Sequence, residues 1–120
     1  MKRIILFLSL TATLVATTPL MSPRVASAAS FDCTKTDLAA DEKEICAERS
    51  LNDLDVKMVT TFDLLVGLVP MGNRDILREG QVNWLKTRQA CGGDQACLRQ
   101  SYEARLKELD EAYRTLIKPL

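Results

Sequence analysis

The sequence predicts an all-α domain: a small antiparallel bundle of three main helices plus a short N-terminal helix, held by two disulfides. Three observations carry that reading. Apolar residues recur at intervals of three and four over long stretches, the rhythm of a helix with one buried face. The breaks between those stretches are short, which sets neighbouring helices antiparallel. No stretch sustains the period of two that a strand requires. With 120 residues the chain has material for one domain.

The elements follow in order. Asp41, with Glu44 three residues on, has the form of a capping box and predicts a short helix ending near Ala47. Ser50 opens a second helix, with Asp53 in its first turn. Its apolar residues Leu51, Leu54, Met58, Phe62, Leu65 and Val69 share one face. Gly67 weakens the last turn, and Pro70-Met71-Gly72-Asn73 stops the helix. Asn73 caps a third helix that runs to about Ala90, anchored by Leu77, Trp84 and Leu85. Gly92 ends it and Asp94 caps the fourth. There Leu98, Tyr102, Leu106 or Arg105, Leu109, Tyr113 and Leu116 keep the same rhythm, and Pro119 marks the end.

The first 28 residues read as a cleavable signal peptide. Lys2 and Arg3 precede an uncharged, mostly apolar run from Ile4 to Thr18, and Pro19 and Pro23 then break any helix. Ala26-Ser27-Ala28 supplies the small-x-small pattern that signal peptidase accepts. Cleavage is placed after Ala28, with the bond after Ala29 a close second, leaving 29–120 as the domain. A retained anchor would need about 20 apolar residues, more than this run offers. Cys33 follows Ser30-Phe31-Asp32 rather than a small, apolar lipobox. The expected location is periplasmic or secreted, with no membrane attachment after cleavage.

Loss of Lys2, Arg3 and Arg24 leaves 13 basic against 16 acidic residues, a net charge of −3. Nucleic acid is therefore not an expected partner, since phosphate binding relies on clustered Lys and Arg.

All four cysteines, Cys33, Cys46, Cys91 and Cys97, lie in the exported part. An even number in a short exported chain reads as disulfides. Three pairings are open, and the sequence-local pair Cys33–Cys46 with Cys91–Cys97 is preferred. The second pair flanks Gly92-Gly93-Asp94, a helix stop followed by a helix start. Each closure should stabilise the fold by roughly 2–3 kcal/mol. A zinc site would place ligands closer together, and the chain has no histidine. No metal and no cofactor are expected. Without histidine the commonest general base is missing, and paired cysteines offer no thiolate nucleophile. The carboxylates include no pair set apart by environment, as a glycosidase would need. An enzyme is not expected.

Several polar residues stand where apolar ones belong. Asp55 lies four after Leu51, close to the apolar face of its helix; Gln81 and Arg88 lie on the Trp84 stripe. Asp55 and Arg88 are expected to pair across the bundle, with Gln81 satisfying neighbouring polar groups, since a buried charge needs a partner. The alternative places each on a solvated flank. Trp84 reads as a core anchor, or else as an exposed hot spot for a partner. The charge-dense run from Arg105 to Arg114 reads as a solvated face, with Glu103–Lys107 a weak ion pair one turn apart.

Taken in order, Phe31-Asp32-Cys33, Glu42-Lys43-Glu44-Ile45-Cys46 and Leu51-Asn52-Asp53-Leu54-Asp55 resemble the opening of the LprI-like lysozyme inhibitor family. Gln81-Val82-Asn83-Trp84-Leu85-Lys86-Thr87-Arg88, Cys91, Cys97 and Tyr102-Glu103-Ala104-Arg105 resemble its second half. The resemblance runs from residue 31 to about 109. It implies a bacterial envelope protein, all-helical, with two disulfides. For part of the family it also implies inhibition of host-type lysozyme. Phe62 stands where the family commonly places Tyr, and Gln89 where Asp or Asn is usual. The shared motif is structural, so it carries over no inhibitory residues.

The leading expectation is a protein partner, lysozyme, met through exposed carboxylates such as Asp75 and Asp94 and through the Pro70–Asn73 turn. Lysozymes of this class are basic, so the net charge of −3 assists encounter. The alternative is an envelope interaction module with another partner, which an exposed apolar patch around Met71 or Trp84 would favour. Oligomeric state is left open.

Overall fold

The computed structural model describes residues 29–116; the expected signal peptide and Pro119 lie outside them. Among the described residues the chain forms four helices and no strand: α1 (Ala40–Ala47), α2 (Arg49–Leu68), α3 (Met71–Ala90) and α4 (Gln95–Leu116). The predicted all-α bundle of three long helices and one short one is the fold. None of these helices is long and apolar enough to cross a membrane.

The helix ends differ in detail from the sequence reading, each for a local reason. α1 begins at Ala40, and the Ala39 N–H donates to the Glu42 carboxylate at 2.9 Å. Asp41 is thus inside the helix, not at its cap. A single extended residue, Glu48, separates α1 from α2 (φ −102°, ψ 110°). Its carboxylate accepts from the Ser50 N–H at 3.2 Å and hydroxyl at 2.8 Å, so Glu48 caps α2 and Ser50 lies within it. Those two bonds, hydroxyl first, lower the Glu48 pKa.

The α2–α3 corner is tighter than the Pro/Gly-rich sequence suggests. Val69 and Pro70 alone connect the helices, and Gly72 and Asn73 fall in the first turn of α3. Pro70 has no N–H to offer, which suits a helix start, and its carbonyl accepts from the Arg74 N–H at 3.0 Å. At the α3–α4 turn Gly92 takes φ 54°, the left-handed conformation that follows many helix ends. Asp94 caps α4 as expected, its carboxylate accepting from the Cys97 N–H at 3.0 Å.

The core gathers the predicted stripes. Ile45 of α1, Leu51, Met58 and Leu65 of α2, Trp84 of α3, and Leu98, Tyr102 and Leu109 of α4 are buried together. Leu54, Phe62, Leu77, Leu85, Leu106 and Leu116 pack against them, while Tyr113 is exposed. α2 and α4 form the most extensive helix contact, α1 lies over α2 and touches α3, and α3 closes against α4. Cys33–Cys46 ties the extended N-terminal segment to α1 with Cα atoms 5.8 Å apart. Cys91–Cys97 clasps the α3–α4 turn at 5.6 Å. The sequence-local pairing is the one formed, and it leaves no free thiol.

Candidate functional site

The most elaborate polar assembly sits inside the bundle and draws on all four helices. Arg88 of α3 is at its centre, 4% exposed. Its Nε donates to Asp41 Oδ2 of α1 at 2.9 Å, and its Nη1 lies 3.6 Å from Asp55 Oδ1 of α2. The Tyr102 hydroxyl of α4 donates to that Asp55 oxygen at 2.8 Å. The Ser30 N–H reaches the other Asp55 oxygen at 2.6 Å. Phe31 and Trp84 flank the guanidinium, 5.5 and 5.7 Å from their ring centres, and attract it through their π faces. Burial, and next the Asp55 charge, push the Tyr102 hydroxyl well above its ordinary pKa, so it stays a donor at neutral pH.

Asp55 and Arg88 therefore meet across the bundle, as their places on the two stripes require. Gln81 does not join them. Its carbonyl accepts from Arg105 Nε at 3.1 Å, and its amide points to Met58 Sδ at 3.2 Å. Trp84 is a core anchor: it is 7% exposed, packs edge-on to Tyr102 at 5.2 Å, and donates to the Ser101 carbonyl at 3.0 Å.

Asp41 and Arg105 are two members of the polar interior to which the sequence reading gave no partner. Asp41 is 1% exposed and is Arg88's closest carboxylate. Its spacing one turn before Ile45 was the available signal, but the local resemblance to a capping residue masked it. Arg105 is the second, and it corrects the reading of 105–114 as a solvated run. It is 4% exposed, held by Gln81, by Glu108 at 2.7 Å and by the Leu77 carbonyl at 3.2 Å. Gly80 makes room for it, since a Cβ there would stand 3.2 Å from Arg105 Nη1. The expected Glu103–Lys107 pair does not form; Arg105–Glu108 and Arg114–Asp110 are the ion pairs along α4.

Within these assemblies the polar side chains bond chiefly to one another and to backbone groups. A crevice of about 170 Å³ runs between the α2–α3 corner and the last turns of α4, lined by Val69, Asn73, Ile76, Leu77, Ala112, Thr115 and Leu116. Large apolar side chains around that corner face solvent: Leu64, Leu68, Met71 and Ile76 are each at least 64% exposed. Asp75 is also exposed there and lies 3.9 Å from Arg78. Asp94 is at the opposite turn and is occupied as a helix cap. Among the described residues no three His, Cys, Asp or Glu side chains are grouped so as to hold a metal ion.

No family model, curated protein or solved structure matches the chain.

Proposed function

We propose that the chain is an exported binding protein that inhibits lysozyme, and that the α2–α3 corner is the surface it presents. The observation that carries a binding role is the corner itself. A bundle stapled twice and pinned by a buried ion cluster leaves four large apolar side chains exposed on the helices that meet at this corner, one of them, Ile76, lining the crevice. Exposed apolar groups gathered at one end, with a charged rim, are the anatomy of a protein contact. Lysozyme is the partner suggested by the ordered resemblance from Phe31 to Arg105 and by the net charge of −3. Export is supported by the N-terminal pattern and by disulfides, which persist in oxidising compartments. The protein works without a cofactor and catalyses no reaction of its own.

The test is a cell-wall lysis assay with purified protein beginning at Ala29 or Ser30. Lysozyme activity should fall as the protein approaches molar equivalence, and Met71→Asp with Ile76→Asp should weaken that effect without changing helicity. Full lysozyme activity at large molar excess would falsify the lysozyme assignment. Exposure of Met71 favours one second reading, an envelope interaction module with a different protein partner. That reading expects capture of one defined envelope protein, lost in the same double variant, with no effect on lysis.

A further inference from the structure

The buried cluster is one positive charge short. Asp41 and Asp55 are 1% and 0% exposed, and among the described residues Arg88 is the one cation within 4.0 Å of either carboxylate. Two carboxylates and one guanidinium leave a net negative charge in the interior, where an uncompensated charge is strongly unfavourable. A further contact to this cluster is a backbone nitrogen: the Ser30 N–H donates to Asp55 Oδ2 at 2.6 Å, on the side of the carboxylate away from Tyr102. Ser30 is itself solvent-exposed, at the point where the chain enters the bundle, and Cys33–Cys46 holds the segment behind it. Ser27 and Ala29 are both small, so the Ala29–Ser30 bond also satisfies the small-x-small rule.

We propose that export removes residues 1–29, and that the new α-ammonium group of Ser30 is the missing cation, closing a buried ion pair with Asp55. The inference rests on the export reading above and moves its cleavage site from Ala28 to the second choice, Ala29. Hydrolysis by the peptidase breaks the bond between the Ala29 carbonyl carbon and the Ser30 nitrogen. Water adds its hydroxyl to Ala29 and a proton to Ser30; at neutral pH the new acid releases a proton and the amine takes one up. Asp55 then has a positive donor on Oδ2 and the Tyr102 hydroxyl on Oδ1, and the cluster is neutral. An uncut chain retains only the amide donor, so the fold reaches full stability only after processing.

The groups facing the amine are Asp55 of α2, with Arg88 of α3 and Tyr102 of α4 behind it and Asp41 of α1 on the far side of Arg88. Asp55 raises the pKa of the folded amine. Its stabilisation is therefore complete below the unfolded amine's value of about 7.7–8.0 and is lost as pH rises through the folded one.

Two measurements test this. In the first, the full chain is expressed in an exporting bacterium and the product is read by intact mass and N-terminal sequencing. A chain beginning at Ser30 is expected, and one beginning at Ala29 or elsewhere overturns the assignment. A chain that stays uncut in the cytoplasm overturns the export reading as well, which separates the two failures. In the second, the protein beginning at Ser30 is compared with its Nα-acetylated form, which keeps the N–H and loses the charge. Acetylation should lower the folding equilibrium constant at pH 7 roughly 10- to 100-fold, with the gap closing at alkaline pH. A change below about twofold, against that expectation for a charged hydrogen bond, overturns the ion pair. Asp55→Asn should abolish the effect of acetylation. Because that variant also loosens Arg88 and Tyr102, an NMR titration of the Ser30 amine in the unsubstituted protein is the independent check. A raised pKa supports the pair, and an ordinary one refutes it.

Discussion

Replacing Arg88 with methionine would expose how much of the fold depends on its charged interior. Methionine keeps most of the apolar stem but removes a guanidinium that lies 2.9 Å from Asp41 and 3.6 Å from Asp55. Both carboxylates stay in place at 1% and 0% exposure. Stranding buried carboxylates in this way costs about 3–5 kcal/mol. Loss of the guanidinium from between Phe31 and Trp84 adds about 1 kcal/mol. A domain of this size has a total stability of roughly 5–10 kcal/mol, so Arg88→Met should remove about half of it or more. Urea unfolding with the disulfides intact is the assay. The midpoint should fall steeply while the slope, set by the surface exposed, stays constant. Adding Asp41→Leu removes one of the stranded charges and should recover about 1–3 kcal/mol, a coupling expected of residues in one network. A loss below about 1 kcal/mol in the single variant, where a buried pair should cost several times that, would refute the reasoning. So would the absence of any recovery in the double variant.

Three further outcomes follow from the same geometry. Tyr102 has its folded pKa raised, so its contribution is intact below the unfolded value of about 10 and is lost above it. Stability should fall with pH in that range, phenolate absorbance from Tyr102 should appear only with unfolding, and Tyr102→Phe should remove this part of the pH dependence. Gly92→Ala should destabilise by about 1 kcal/mol because φ 54° is unfavourable for a side chain. Gly67→Ala, with no atom within 4 Å of the new Cβ, should instead stabilise α2 by about 0.5 kcal/mol. Ser101 buries a hydroxyl that has no partner, while its carbonyl holds Trp84. Ser101→Ala should therefore raise the melting temperature by a few degrees, and a fall would mean that the hydroxyl is satisfied in solution.

Particular residues show how far local pattern reaches. Asp55 and Arg88 were legible because each interrupts an apolar stripe, and a charge on a buried face implies a partner on another helix. Asp94 and Gly92 were legible because caps are chemistry between near neighbours. Asp41 was not, since the same residue that resembles a cap on α1 can be turned inward when α1 crosses α3. Arg105 was hidden for a similar reason. In a run rich in charge, only packing decides which guanidinium faces the opposite helix, and Gly80 on that helix supplies the space. The exposed corner around Met71 was read as a turn; its two-residue length follows from helix closure around Pro70.

By itself the sequence determined the helical class and the order and approximate extent of the helices, and it favoured the local disulfides and one cross-bundle charge pair over their alternatives. Each of these depends on spacing along the chain, through a 3.6-residue period, a cap or a short covalent loop. The tertiary structure decided what converges on Arg88. Asp41, Asp55, Tyr102 and the Ser30 nitrogen come from segments up to 72 residues apart, from Ser30 to Tyr102. Their meeting follows from how the helices pack, and the low polarity of that interior makes each charge require the others.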